Sequence, residues 1–293
     1  MQRTHVAGAS LLAAVLFQWV MVADAGARNQ PRLERGRYLM NSVAACGNCH
    51  TPRGPDGAPL ADRELSGGPP VKEQPFDAYP SNITSDKETG VGKWTDAQLK
   101  RAIREGVRPD GSLIGPPMPF GFYRGLSDDD LNAIVAYLRQ VKPVSNAVPK
   151  SVYRMPLPPA YGPAIKQPVK APSPKDQLAY GAYLAGPVGH CMECHTPMVK
   201  GQVQRDKFGA GGNSFNGPWG TSVARNLTPH ESGLKSWSDA EIEKAIREGV
   251  SRDGSQLKPP MGYGFYKTIN DADMKALIAY LRSLQPLPLG GGA

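Results

Sequence analysis

The chain has 293 residues, 34 basic against 26 acidic side chains for a formal charge of +8, 33 glycines, 29 prolines and only four cysteines. The positive charge is not spread as a binding face. Residues 28–142 hold 16 basic and 14 acidic side chains, residues 143–175 hold 5 and 0, and residues 176–293 hold 12 and 11, so nucleic-acid binding is excluded and the basic middle reads as a segment that steers an acidic partner.

At the amino terminus Arg3 precedes an apolar run from Val6 to Ala23, and Ala23-Asp24-Ala25 offers a small-x-small cleavage site. This is the layout of a secretory signal over residues 1–25, which places the mature chain in the periplasm. The alternative is a retained membrane anchor, because 18 apolar residues reach the lower limit for crossing a bilayer. No later segment is apolar enough to span, which leaves peripheral association as the other contact with a membrane.

Next come Gly36-Arg37-Tyr38-Leu39 and then Cys46-Gly47-Asn48-Cys49-His50, followed by Thr51-Pro52. A turn of helix carrying Cys-x-x-Cys-His sets two thiols where they add to the vinyl groups of one haem, with the imidazole aimed at the iron. Zinc would want a second cysteine pair about 15 to 20 residues away. A thioredoxin-like pair needs no adjacent histidine, and a plain disulfide needs no cofactor at all.

Asn82-Ile83-Thr84 and Trp94 follow, and Thr95-Asp96-Ala97-Gln98 forms a capping box that predicts a short helix reaching Glu105 and stopped by Gly106. Pro116-Pro117-Met118 reads as a loop. Ser127 then caps a final helix whose apolar stripe is Leu131, Ile134, Val135 and Leu138. Residues 143–175 contain nine prolines, which preclude continuous helix or a central strand and predict a semi-rigid linker that drapes over either domain.

After the linker the whole series returns. Gly181-Ala182-Tyr183-Leu184 and Cys191-Met192-Glu193-Cys194-His195 lie 145 residues beyond their first copies. Asn226-Leu227-Thr228, Trp237, the capping box Ser238 to Glu241 with stop Gly249, Pro259-Pro260-Met261, cap Asn270 and stripe Met274, Leu277, Ile278 and Leu281 complete the repeat at an offset near 143. The duplication assigns residues 28–142 and 176–286 to two mostly α domains, each with a haem completing its core, and leaves a disordered tail over 287–293.

Each iron then needs a distal ligand. Met118 and Met261 are the two methionines at equivalent positions, and a thioether is a soft donor suited to iron, although methionine commonly just fills a core. His190 and His230 are rival ligands without counterparts. Trp94, Trp237, Asn82 and Asn226 either donate N–H groups to haem propionates or only pack and cap turns. His50 and His195 each need an acceptor for the second ring nitrogen, a backbone carbonyl or a carboxylate.

Each half resembles a class I c-type cytochrome domain: Gly36-x-x-Leu39 and Gly181-x-x-Leu184 are similar to its first helix, and Tyr137-Leu138 and Tyr280-Leu281 to its aromatic-bearing last helix. The Asn-Ile-Thr, Trp-Thr-Asp, Arg-Glu-Gly-Val and Pro-Pro-Met runs resemble the multi-haem cytochrome subunits of membrane-linked alcohol and gluconate dehydrogenases. That resemblance implies a tandem pair of cytochrome c domains joined by a Pro-rich linker. It also implies two covalently bound haem c groups on Cys46, Cys49, Cys191 and Cys194, with His50, Met118, His195 and Met261 as axial ligands. The expected role is electron transfer from a dehydrogenase donor to a cytochrome or oxidase acceptor. The competing expectations are a two-haem enzyme, a peroxidase or an oxidoreductase of small sulfur compounds, and a haem sensor or scaffold in a respiratory assembly.

Overall fold

The structure, a computed structural model, describes residues 30–199 and 201–291. The expected signal over residues 1–25 lies outside them. Each half carries the same helices: α1 (residues 30–41), α2 (Cys46–His50), α3 (Asp96–Glu105), α4 (Phe120–Tyr123) and α5 (Asp128–Leu138), then α6 (Gln177–Tyr183), α7 (Cys191–His195), α8 (Asp239–Glu248), α9 (Tyr263–Tyr266) and α10 (Asp271–Ser283). Both capping boxes form in full, with Thr95 and Ser238 accepting from the backbone of Gln98 and Glu241, and Gly106 and Gly249 end α3 and α8 at φ of 70° and 69°. The stripes of α5 and α10 are buried as their spacing requires.

The first helix of each half crosses the last at very short range. A Cβ placed on Gly36 would lie 2.0 Å from the Ala133 carbonyl oxygen, and one on Gly181 would lie 2.0 Å from that of Ala276. Only glycine admits this crossing.

The two halves then pack on each other through one continuous apolar core, in which Leu39, Met40 and Val43 of the first half join Leu184, Val188 and Met274 of the second. The polar contacts across this interface are reciprocal. Tyr38 donates its hydroxyl to Asp273 at 2.7 Å, and its counterpart Tyr183 donates to Asp130, the counterpart of Asp273, at 2.7 Å. The backbone N–H groups of the helix caps Asn270 and Ser127 donate to the same two hydroxyls, at 3.3 and 3.1 Å. Such exchange of partners is the signature of a two-fold contact, here within one chain. Arg35 sits at its centre, bidentate to Asp130 at 2.7 and 2.9 Å and donating to Tyr180, which occupies its own equivalent position, at 3.3 Å.

Small hairpins decorate the loops after the attachment helices. In the first half β1 (Val71–Glu73) and β2 (Phe76–Ala78) gain a third strand, β3 (Val152–Tyr153), from the linker. A two-residue stretch free of proline suffices for this edge position. The linker thus drapes over the first domain: Tyr153 and Tyr161 donate to the carbonyls of Pro116 and Ile114 at 3.1 and 2.8 Å, and the Tyr161 ring lies 4.7 Å from that of Phe120. In the second half β4 (Met198–Val199) pairs with β5 (Gln202–Val203), and β6 (Ser214–Gly217) with β7 (Gly220–Val223).

The expectation of a disordered tail over 287–293 is corrected for residues 287–291. Leu287 accepts from Asn226 at 2.7 Å, Leu289 donates to Ser232 at 2.9 Å and Gly290 donates to Ala210 at 2.9 Å. Glycine-rich composition suggested freedom, but the buried Asn226 amide needs this segment as its partner. The equivalent bond in the first half, from Asn82 to Val144 at 2.8 Å, makes the opening residues of the linker part of that domain. Residues 292 and 293 lie outside the described residues.

Burial first, then the hydrogen bond to Asp273, raises the Tyr38 phenol above its ordinary value of 10.0, and burial with the charge of Asp130 raises Tyr183 likewise. Their contribution is fully present below pH 10 and is lost as pH rises further, because the unfolded phenols ionise while the folded ones stay protonated. Urea titrations at rising alkaline pH are expected to show falling stability, with a lower starting value and a shallower decline in the Tyr38→Phe, Tyr183→Phe double variant. An unchanged decline contradicts this account.

Candidate functional site

The residue before each attachment helix turns the chain sharply. Ala45 has φ 47° and His190 φ 40°, both left-handed. For a residue with a Cβ this conformation costs on the order of 1–3 kcal/mol and persists only where its surroundings enforce it. Its recurrence in both copies marks the turn as part of the site. Beyond it, cysteines three residues apart share one face of a short helix, which is what two adjacent vinyl groups of one porphyrin require.

All four thiols are free of disulfides. Burial pushes Cys46 up to about 12, Cys191 to about 11 and Cys194 to about 12. That is the opposite of the lowered value that makes a dithiol a redox nucleophile, and it suits cysteines that end as thioethers.

The proximal histidines are prepared identically. His50 Nδ1 lies 2.8 Å from the Ser81 carbonyl oxygen, and His195 Nδ1 lies 2.6 Å from that of Arg225. A carbonyl only accepts, so Nδ1 carries the proton and Nε2 keeps its lone pair for a metal. Burial lowers both imidazole pKa values, which holds the rings neutral. Of the two acceptors anticipated from the sequence, the backbone carbonyl is the one present.

The threonine after each histidine, Thr51 and Thr196, is buried. Thr51 accepts from Leu65 N–H at 3.1 Å and Thr196 from Gly209 N–H at 3.3 Å, which ties the end of each attachment helix to the next loop. The Arg of each Arg-Glu-Gly-Val run likewise reaches the loop after the Met segment: Arg104 pairs with Asp128 and the Leu126 carbonyl, Arg247 with Asp271 and the Ile269 carbonyl. Spacing reveals neither role, because both depend on contacts between distant segments.

Met118 and Met261 sit half-buried in equivalent loops, each after a cis Pro-Pro bond. Neither rival histidine occupies such a place. His190 stands beside Cys191 itself, edge-on to Tyr123 and 3.2 Å from Glu193, while His230 bonds Ser232 in an exposed turn. Asn82 and Asn226 spend their amides within the fold, accepting from Thr84 and Thr228 and donating to Val144 and Leu287, so they act as turn-holders. Trp94 packs against the small cluster of Val91, Leu99 and Val135. Trp237 lines an open cavity of about 350 Å³ with Arg225, Ser251, Arg252 and Asp253. Charge and N–H donors there suit haem propionates, and by offset the first half has Ser81 and Pro109 in place of the two arginines.

The donor set in each half, two thiols and a neutral imidazole on one short helix with a thioether in a separate loop, fits a covalently held haem. A family model described as cytochrome c matches residues 179–285, and one described as cytochrome c oxidase, cbb3-type, subunit III, matches residues 31–138. The chain is 30% identical to the cytochrome c subunit of the quinone alcohol dehydrogenase of Gluconobacter oxydans, over 99% of its own length and 62% of that relative. It is 31% identical to the fructose dehydrogenase cytochrome subunit of Gluconobacter japonicus, over 87% and 53%. It thus spans just over half the length of these relatives. With a dihaem c-type cytochrome of Cereibacter sphaeroides it shares 30% identity over 82% of each chain. Duplicated Cys-x-x-Cys-His turns, preset imidazoles and these likenesses together identify the chain as a member of the cytochrome c family, with two cytochrome c domains in tandem that carry two covalently bound haem c groups.

Proposed function

We propose that this chain is an exported, periplasmic electron carrier that takes electrons from a dehydrogenase and passes them to a cytochrome or oxidase of a respiratory chain. The observation that carries the reading is the matched pair of proximal bonds, His50 to Ser81 and His195 to Arg225, each leaving one nitrogen free for iron. Bound haem supplies one-electron chemistry, and the protein's part is to fix ligands, burial and approach. Met118 and Met261 serve as the distal ligands. With imidazole and thioether on both irons, no coordination site remains for a substrate, which favours transfer over turnover.

The names of the relatives support a dehydrogenase as donor, since two of them are cytochrome subunits of enzymes that oxidise alcohol and fructose. Partner approach falls to the linker, where Lys150, Lys166, Lys170 and Lys175 are exposed with no acidic side chain among residues 143–175. Such a basic run raises the encounter rate with an acidic partner and weakens with salt. Among the described residues no helix is long and apolar enough to cross a membrane.

Met118→Ala and Met261→Ala are each expected to lower one of two reduction potentials by on the order of a tenth of a volt, a fraction of the roughly 0.8 V that axial ligands command. Each also removes one sulfur-to-iron absorption band. Redox titrations and spectra matching the parent in both variants overturn the ligand assignment. For the address, amino-terminal sequencing of protein recovered from the periplasm is expected to begin at Gly26, whereas an intact Met1 in the membrane fraction contradicts export with cleavage after Ala25.

A further inference from the structure

The interface between the halves is two-fold at Tyr38, Asp273, Tyr183 and Asp130, and it departs from that symmetry at the attachment helices. In the first, Asn48 lies between the two cysteines. Its Nδ2 donates to the carbonyl oxygen of Pro260, in the other half, at 3.1 Å, and Pro260 is bonded directly to Met261. The amide is held in this sense by Arg53, whose Nη2 donates to Asn48 Oδ1 at 2.8 Å. Gly47 lets the second half come close: a Cβ there would lie 2.9 Å from the Phe265 ring.

The reverse contact is not made. The counterparts of Gly47, Asn48 and Arg53 are Met192, Glu193 and Met198. Met192 is buried in the core, Glu193 turns back to His190 within its own half at 3.2 Å, and Met198 is 49% exposed. The carbonyl of Pro117, which precedes Met118, accepts no hydrogen bond among the described residues, whereas that of Pro260 accepts from Asn48.

We propose that the Asn48–Pro260 hydrogen bond couples the two haem sites, with Asn48 and Arg53 as positioning residues for electron exchange between the halves. This rests on the reading of Cys49 and Met261 as groups joined to haem. From Cys49 the route runs through one peptide bond to Asn48, along its side chain, across one hydrogen bond to Pro260 and through one peptide bond to Met261. Electron tunnelling falls off less steeply along covalent and hydrogen bonds than across gaps, so a bonded bridge outweighs looser paths of similar length. The step moves one electron from one half to the other; no proton moves and no bond breaks.

The test uses the haem-loaded full chain with Asn48→Leu, close in size and without the amide, and Asn48→Gln, which restores a donor. After rapid injection of one electron, the rate at which the halves reach equilibrium is recorded along with both reduction potentials and the methionine absorption band. The expected result is a severalfold slower exchange in Asn48→Leu with potentials and band unchanged, recovery in Asn48→Gln, and a parental rate in Glu193→Gln. A parental rate in Asn48→Leu overturns the coupling, as does a slowing fully explained by a shift in either potential. Either result leaves the two-haem reading intact, because haem content and the methionine bands report on that reading separately.

Discussion

At the crossing of α1 with α5, and again of α6 with α10, the backbones approach so closely that a single methyl group on Gly36 or Gly181 would collide with a carbonyl oxygen. That approach fixes the first helix of each half against the last. It sets the end of the first helix, and hence the left-handed turn at Ala45 or His190 that launches the attachment helix. A second contact, the packing of the halves on each other, brings Tyr38 and Tyr183 on the first helices within reach of Asp273 and Asp130 in the first turns of the opposite last helices. One steric constraint, used twice, holds each half together, and the reciprocal Tyr–Asp contacts join the two halves.

The interface so formed buries charge without stranding it. Asp130 receives both Arg35 and Tyr183, and Asp273 receives Tyr38 with the Arg35 guanidinium at 4.0 Å. Buried carboxylates with one partner removed are costly, and such paired networks favour a single register over sliding apolar packing. A fixed register matters in an electron carrier, because transfer between two sites is steep in distance. The duplication accounts for the symmetry, and the differences between the halves at Gly47, Asn48 and Arg53 give the two sites unlike surroundings. The arginines at 225 and 252, beside Trp237, extend that difference to the cavity of the second half.

Much of this was legible in the residues alone. The helix limits at Glu105 and Glu248, the caps, the buried stripes and the two attachment turns follow from local rules of capping and periodicity, which need no knowledge of the partner segment. The asparagines of Asn-Ile-Thr and Asn-Leu-Thr were ambiguous because their amide partners lie about 60 residues away, in closing segments whose composition suggests looseness. The hairpins are not legible in the sequence, since their strands are two to four residues long, too short to show alternation. The reciprocal Tyr–Asp contacts were hidden for a different reason: the repeat reveals equivalent residues, yet equivalence does not say whether copies face each other.

The central claim is that each half holds one porphyrin through its own two cysteines, and the most direct test is the haem retained by the denatured chain after maturation in a host that attaches c-type haem. The account predicts two haems per parent chain and one in either the Cys46→Ala, Cys49→Ala or the Cys191→Ala, Cys194→Ala variant. A denatured parent chain that keeps no haem, or a variant that still keeps two, contradicts it.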